Sequence, residues 1–217
     1  SGYTDAGATA VDTLDGDLTA SLQTVSTVDA DNPGSYSVTY NISDAAGNAA
    51  TEVVRTVTVA DTTAPALTLL GDATVTHEAA TAWKEPGYSA SDVPDGNLTD
   101  QVAVGGAVIG PGTGLGVHAV TYQVFDLVGN KAEAVRTVNV VDTTPPVLQP
   151  KGASTVSIEY GSLWVEPGCD ATDSHEGDLS AKVVVGGVKL TTTTPPGTYQ
   201  ITYDLNDSAG NEAAQAV

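Results

Sequence analysis

The sequence predicts an all-β chain made of three tandem copies of one sandwich-type module, joined end to end. Three observations predict it. First, spaced motifs return at a fixed interval. "DTTAP" begins at Asp61 and "DTTPP" at Asp142, 81 residues on; "EPG" at Glu85 and Glu166 and "VRTV" at Val54 and Val135 keep the same spacing. A period of this size marks a repeat architecture. Second, apolar residues alternate with polar ones. Tyr36, Val38, Tyr40 and Ile42 share one face, as do His118, Val120, Tyr122 and Val124, and Tyr199, Ile201, Tyr203 and Leu205. Period two is a strand with one face on a core and one in water. Third, two Trp, eight Tyr, one Phe and no Met, in a chain rich in Val, Thr, Gly and Ala, suit sheets with small cores.

The copies divide the chain at 1–60, 61–141 and 142–217. The first lacks its opening strand, the second is complete and the third stops before its last strand. Within the complete copy the pattern predicts strands near 66–70, 73–79, 87–91, 101–105, 107–110, 117–126 and 131–141. The signals "GD", "EPG", "DVPDG", "GG", "GPGTG" and "LVGN" separate them. Seven short strands in about 80 residues make an immunoglobulin-like sandwich. "GSYSVTY" and "GTYQITY" place Tyr36 and Tyr199 where a tyrosine corner belongs, whereas the middle copy has His118. Arg55 and Arg136 fall on the apolar parity of the last strand, which calls for either a bulge or a guanidinium snorkelling to the rim.

These motifs together, "DTTPPVL", "LGDATVT", "EPG", "DGDLT", "GTYQITY", "SDAAGN" and "VRTVTV", resemble the bacterial Ig-like repeats of pesticidal crystal proteins, large surface adhesins and secreted multidomain enzymes. They are also similar to hyalin-type and cadherin-like repeats. The resemblance covers all three copies and implies spacer or binding modules outside the cell.

An acidic hexamer closes the sixth strand of every copy: "SDAAGN" at Ser43, "FDLVGN" at Phe125 and "NDSAGN" at Asn206. One reading is a turn, with Asp bonding the local backbone and Gly and Asn taking left-handed conformations. The other is a cation site. In such a sandwich the loops after the second and sixth strands lie at the end where the chain enters. The second-strand loops are "DTLDGD", "DVPDGN" and "DSHEGD". For the second copy the converging ligands are Asp61, Asp92, Asp95, Asn97, Asp126 and Asn130. For the third they are Asp142, Asp173, Glu176, Asp178, Asp207 and Asn211. The first copy offers a partial set, Asp12, Asp15, Asp17 and Asp44. Crowded carboxylates repel one another, and Ca²⁺ accepts six to eight oxygens in flexible geometry. Zinc is disfavoured, since His77, His118 and His175 are scattered and Cys169 is the sole thiol.

Net charge of −20, with 27 acidic against 7 basic residues, argues against nucleic acid and anionic membrane as partners. No apolar run is long enough to span a bilayer. A single cysteine rules out an internal disulfide framework. No G-x-S-x-G elbow, phosphate loop or Ser/His/Asp pattern stands out, so no catalytic residue is assigned. Glu85 and Glu166 read as turn residues, Trp83 and Trp164 as caps on the core edge, and Cys169 as a buried inert thiol. Sequons occur at Asn41, Asn97 and Asn206.

The expected function is that of a non-enzymatic extracellular rod, the stalk or filament part of a microbial surface adhesin, with Ca²⁺ at its junctions. Short proline-containing linkers favour it. Its expected partners are neighbouring modules of the same or an identical chain, which could complete the unfinished end sheets, and a cell-surface or carbohydrate ligand. The alternative is a carbohydrate-binding or spacer module of a secreted enzyme or toxin.

Overall fold

The computed structural model describes residues 2–217, and they are nearly all β. The first copy carries β1 (Val11–Asp12), β2 (Gly16–Asp17), β3 (Gln23–Ser26), β4 (Gly34–Asn41) and β5 (Val53–Val59). The second carries β6 (Ala66–Leu69), β7 (Thr74–Glu78), β8 (Tyr88–Asp92), β9 (Gly96–Asn97), β10 (Ala103–Gly106), β11 (Gly116–Phe125) and β12 (Lys131–Val141). The third carries β13 (Val147–Pro150), β14 (Cys169–Asp173), β15 (Gly177–Asp178), β16 (Val184–Gly187) and β17 (Ile201–Asp204). One 3-10 turn recurs in each copy, at Thr19–Ser21, Thr99–Gln101 and Ser180–Lys182.

The chain forms two compact units. One comprises the residues up to Thr68 with Tyr88–Ala103 and Gln123–Glu133. The other comprises Leu69–Gly87, Val104–Tyr122 and Ala134–Val217. The first unit contains the antiparallel sheet β3-β4-β5, with Tyr40 opposite Thr24 and Val53, and the small ladders β1-β2 and β8-β9. In the second unit β7 runs parallel to β12, from Thr74 opposite Thr137 to Glu78 opposite Val141. It also contains β13-β14-β15 and β16-β17, both antiparallel.

The alternating faces are where the periodicity puts them. Val38 and Tyr40, Val120, Tyr122 and Val124, and Tyr203 and Leu205 are buried. Their polar neighbours Thr39, Thr121 and Thr202 are not. In the third copy the core closes around Ala171, Leu179, Leu205 and Ala213, with Leu148 and Val183 against it. The corner device survives in all three copies. Tyr36 Oη donates to Asn32 O at 2.8 Å and Tyr199 Oη to Pro195 O at 2.9 Å. His118 Nε2 meets Gly114 O at 2.8 Å over the same four-residue reach, so an imidazole fills the tyrosine's place.

Two expectations are corrected. Residues 107–110 are not a strand, and the seventh element of the second copy is the two-residue β9 instead. The ladder stops at Gly106, whose left-handed backbone (φ 79°) lets the Ala119 carbonyl come within 2.4 Å of where a Cβ would stand. In β12 there is neither bulge nor snorkelling; β5 also pairs with β4 without a bulge, and its Arg55 is only half-buried. Arg136, Val138 and Val140 keep one parity, and all three are buried.

Candidate metal centres

Each linker aspartate meets two carboxylates from distant parts of the chain. Asp61 of the first linker gathers with Asp92, the last residue of β8, and Asp126 of the hexamer. Asp142 of the second linker gathers with Asp173, the last residue of β14, and Asp207 of the next hexamer. In each triad one carboxylate oxygen per residue lies within 4.8 Å of the others. Five of the six side chains are buried to 7 or 8 % exposure, and Asp61 is half-buried.

Local structure fixes the carboxylates. Asp126 Oδ1 accepts the N–H groups of Val128, Gly129 and Asn130 at 2.7–3.0 Å. Asp173 Oδ1 accepts those of His175 and Glu176 at 2.7 and 2.9 Å. Asp142 Oδ1 accepts Thr144 N–H at 3.2 Å. These Asx turns consume one oxygen of each group. Asp92 Oδ1, Asp142 Oδ2 and Asp173 Oδ2 are left buried with no hydrogen-bond partner. Burial pushes the Asp142 carboxyl above its ordinary range, and the charges of Asp173 and Asp207 add to the push. The Thr144 N–H and His175 ease it. Asp126 goes the other way: burial would raise it, but bonds from the Asn130 side chain and the hexamer backbone outweigh that.

The remaining expected ligands lie outside the triads and have other partners. Asp15 Oδ2 and Asp95 Oδ2 accept hexamer N–H groups, from Ala45 at 2.9 Å and Leu127 at 2.7 Å. Glu176 accepts Ser208 N–H in the same way. Asp17, Asn97 and Asp178 accept N–H groups of Thr19, Thr99 and Ser180, each at 2.9 Å, and so start the 3-10 turn. Asp12 and Asp44 occupy the corresponding places in the first copy, and no third carboxylate joins them among the described residues.

The hexamer asparagines hold the linkers. Asn130 Nδ2 donates to Asp126 Oδ2 at 2.7 Å, to Thr63 O at 3.2 Å and to Asp61 O at 3.4 Å. Asn211 Nδ2 donates to Asp207 Oδ2 at 2.7 Å and to Asp142 O at 3.1 Å. The second linker is gripped from its other side too. Glu78 accepts Thr143 N–H and both threonine hydroxyls, of Thr143 and Thr144, at 2.8–2.9 Å. The Thr143 N–H, then the hydroxyls, hold its carboxyl below the usual range.

Against this geometry, the family model described as bacterial surface protein, Ig-like domain matches three times, at residues 1–59, 67–140 and 148–216. The chain belongs to this bacterial surface Ig-like family. It is also similar to hyalin of Lytechinus variegatus, 31 % identical over 198 residues that cover 85 % of this chain and 36 % of hyalin. The chain therefore spans about a third of that relative's length. Among solved structures, it is similar to a lipoprotein of Bacteroides thetaiotaomicron (28 % identity, 37 % of this chain and 39 % of that one, TM-score 0.33). Another is a Clostridium perfringens ZmpB structure with a carbohydrate-binding module in complex with GlcNAc and INT domains (22 % identity, 40 % and 17 % covered, TM-score 0.30).

In this Ig-like chain the glutamates of "EPG" do more than turn the chain. Arg136, fully buried, sits 3.1 Å from Glu85 and donates to the carbonyls of Leu70 and Gly87 at 2.8 and 3.0 Å, to that of Asp72, and to Tyr122 Oη at 3.3 Å. The first copy repeats this with Arg55, Asp5 and Tyr40. In the third copy Glu166 meets Tyr203, and Trp164 Nε1 donates to Glu166 at 3.3 Å; Val217 stands where the others have arginine. The signal was an arginine on an apolar face with an acid at a fixed place in each copy. Trp83 is half-buried edge-on to His77, with ring centroids 5.2 Å apart. No helix among the described residues is long and apolar enough to cross a membrane.

Proposed function

We propose that this chain is a non-catalytic spacer segment of a microbial surface protein, a rod of Ig-like modules that carries a distal element away from the cell. The rod's stiffness resides in its linkers, with Ca²⁺ at the linker aspartates adding to their hold. The observation that carries this reading is the repeated linker clamp. Asn130 and Asn211 tie the linker backbone to the hexamer of the following copy, and Glu78 ties the second linker to the preceding one. A linker held by side chains at both borders resists bending, whereas a Gly-Ser linker behaves as a random coil.

Small-angle scattering on the 217-residue chain tests it. Three sandwiches of about 40 Å each in line give a radius of gyration of about 35 Å. A compact chain of this length gives about 17 Å. A value near the lower figure sinks the rod.

A further inference from the structure

We propose that the triads Asp61–Asp92–Asp126 and Asp142–Asp173–Asp207 are two divalent-cation sites built for Ca²⁺, and that the chain binds two such ions. The proposal rests on the spacer reading only for its mechanical consequence. Three carboxylates within 4.8 Å are by themselves an acidic cluster. What points to a cation is the state of their oxygens. Asp92 Oδ1, Asp142 Oδ2 and Asp173 Oδ2 are buried on side chains more than nine-tenths buried, and no donor reaches them. Native proteins satisfy such groups, and unpaired buried carboxylates are the most costly to leave alone. None of the ion pairs among the described residues involves a triad member. The partner that fits is a positive charge seated among the three.

Its chemistry follows from the donors. All are carboxylate oxygens, with no thiolate or imidazole in either group, which suits a hard cation rather than zinc. The triads come from three separated segments and leave further coordination positions to water or backbone oxygen. That favours the large, flexible Ca²⁺ shell over the strict octahedron of Mg²⁺. The carboxylates are held in place beforehand, since Asx-turn N–H groups fix Asp126, Asp142 and Asp173. The count of two follows from Asp12 and Asp44, which have no third carboxylate beside them among the described residues. The second site should fill first. All three of its side chains are buried and it holds two unpaired oxygens, against one unpaired oxygen and a half-buried Asp61 in the first.

Titration of the chelator-stripped 217-residue chain with CaCl₂ in a calorimeter tests the proposal. The expected result is two ions per chain with dissociation constants of about 10⁻⁴–10⁻³ M, weaker binding of MgCl₂, and a melting temperature raised by about 5 °C or more at saturation. Asp92→Asn and Asp173→Asn each reduce the count from two to one, and the double variant binds none. In chelator these variants melt no lower than the wild type, because each removes an unpaired buried charge; that melting transition also shows that they fold. A folded wild type that takes up fewer than two Ca²⁺ at ~10 mM, two ions retained in either variant, or Mg²⁺ bound as tightly as Ca²⁺ overturns the proposal. An extended particle that binds no Ca²⁺ sinks the cation sites alone. A compact particle sinks the spacer alone, whatever the titration gives.

Discussion

The side-chain amide of Asn211 donates to the backbone carbonyl of Asp142 at 3.1 Å, across 69 residues of sequence, and Asn130 reaches Asp61 across the same separation. Gly-Asn at the end of the hexamer is thus more than turn chemistry. Glycine takes the left-handed backbone, and the asparagine after it points back at the incoming linker.

Asn211→Ala removes the donors to both Asp142 O and Asp207 Oδ2. A loss of about 1–2 kcal/mol in urea unfolding is expected, from two hydrogen bonds near a buried site. Asn48→Ala, whose side-chain amide among the described residues donates to Asp44 within its own hexamer and to no linker, should cost less. Equal losses at the two positions would show that the linker bond adds nothing.

Arg136→Leu should be among the most damaging single changes. It leaves Glu85 and the carbonyls of Leu70, Asp72 and Gly87 facing an apolar side chain, at a cost of about 3–5 kcal/mol. Arg136→Lys should recover little, because an ammonium lacks the fork that serves the surrounding oxygens together. Denaturant unfolding of the two variants side by side is the check.

Much of this was legible in the sequence, and what was not has physical reasons. Strand faces follow from period two, so Val38, Tyr122 and Leu205 were readable as core. The acidic loops could be expected to converge because the sandwich topology brings the second and sixth loops to the entering end. Which carboxylate faces inward was not readable. That depends on whether a carboxylate oxygen is taken up by a backbone N–H, as Asp95 Oδ2 and Asp178 Oδ1 are, or left without a donor, as Asp92 Oδ1 and Asp173 Oδ2 are. The internal arginine was misjudged because propensity treats a charge on an apolar face as an error. It is explained by five oxygens that arrive from β11, from the "EPG" segment and from the turns beside it.

Acid should unfold the chain in a defined window. Tyr40 Oη above all, with Tyr3, Gly7 and Arg55, holds the Asp5 carboxyl down at about 2 against an ordinary 3.8. The folded state therefore binds the proton less readily than the unfolded one. Its stabilising effect is complete above pH 3.8 and is lost as pH falls toward about 2. Glu78 acts in the same sense below 4.5. Circular dichroism against pH should show the wild type losing structure across this range and Asp5→Asn showing a shallower dependence there.

Gly106→Ala should destabilise the chain by roughly 2 kcal/mol or more, since it combines a left-handed backbone with a clash against the Ala119 carbonyl. Gly112→Ala, where a Cβ meets open space at an ordinary φ, should be close to neutral. Thermal melts of both separate a strained turn from a merely flexible one.

Cys169 is buried, and burial pushes its thiol above the usual value. A disulfide reagent at neutral pH should label it slowly in the folded chain and at once in denaturant. Rapid labelling of the native chain would mean that β14 opens far more often than its ladder with β13 suggests.

The parallel ladder between β7 and β12 governs how a copy answers to force. β7 stands near the start of its copy and β12 closes it, so tension on the flanking linkers drags the two strands past each other along their length. Five paired positions, Thr74–Thr137 through Glu78–Val141, then yield together rather than unzipping one by one. Such a shear joint would give way late and abruptly, as the spacer proposed above would require.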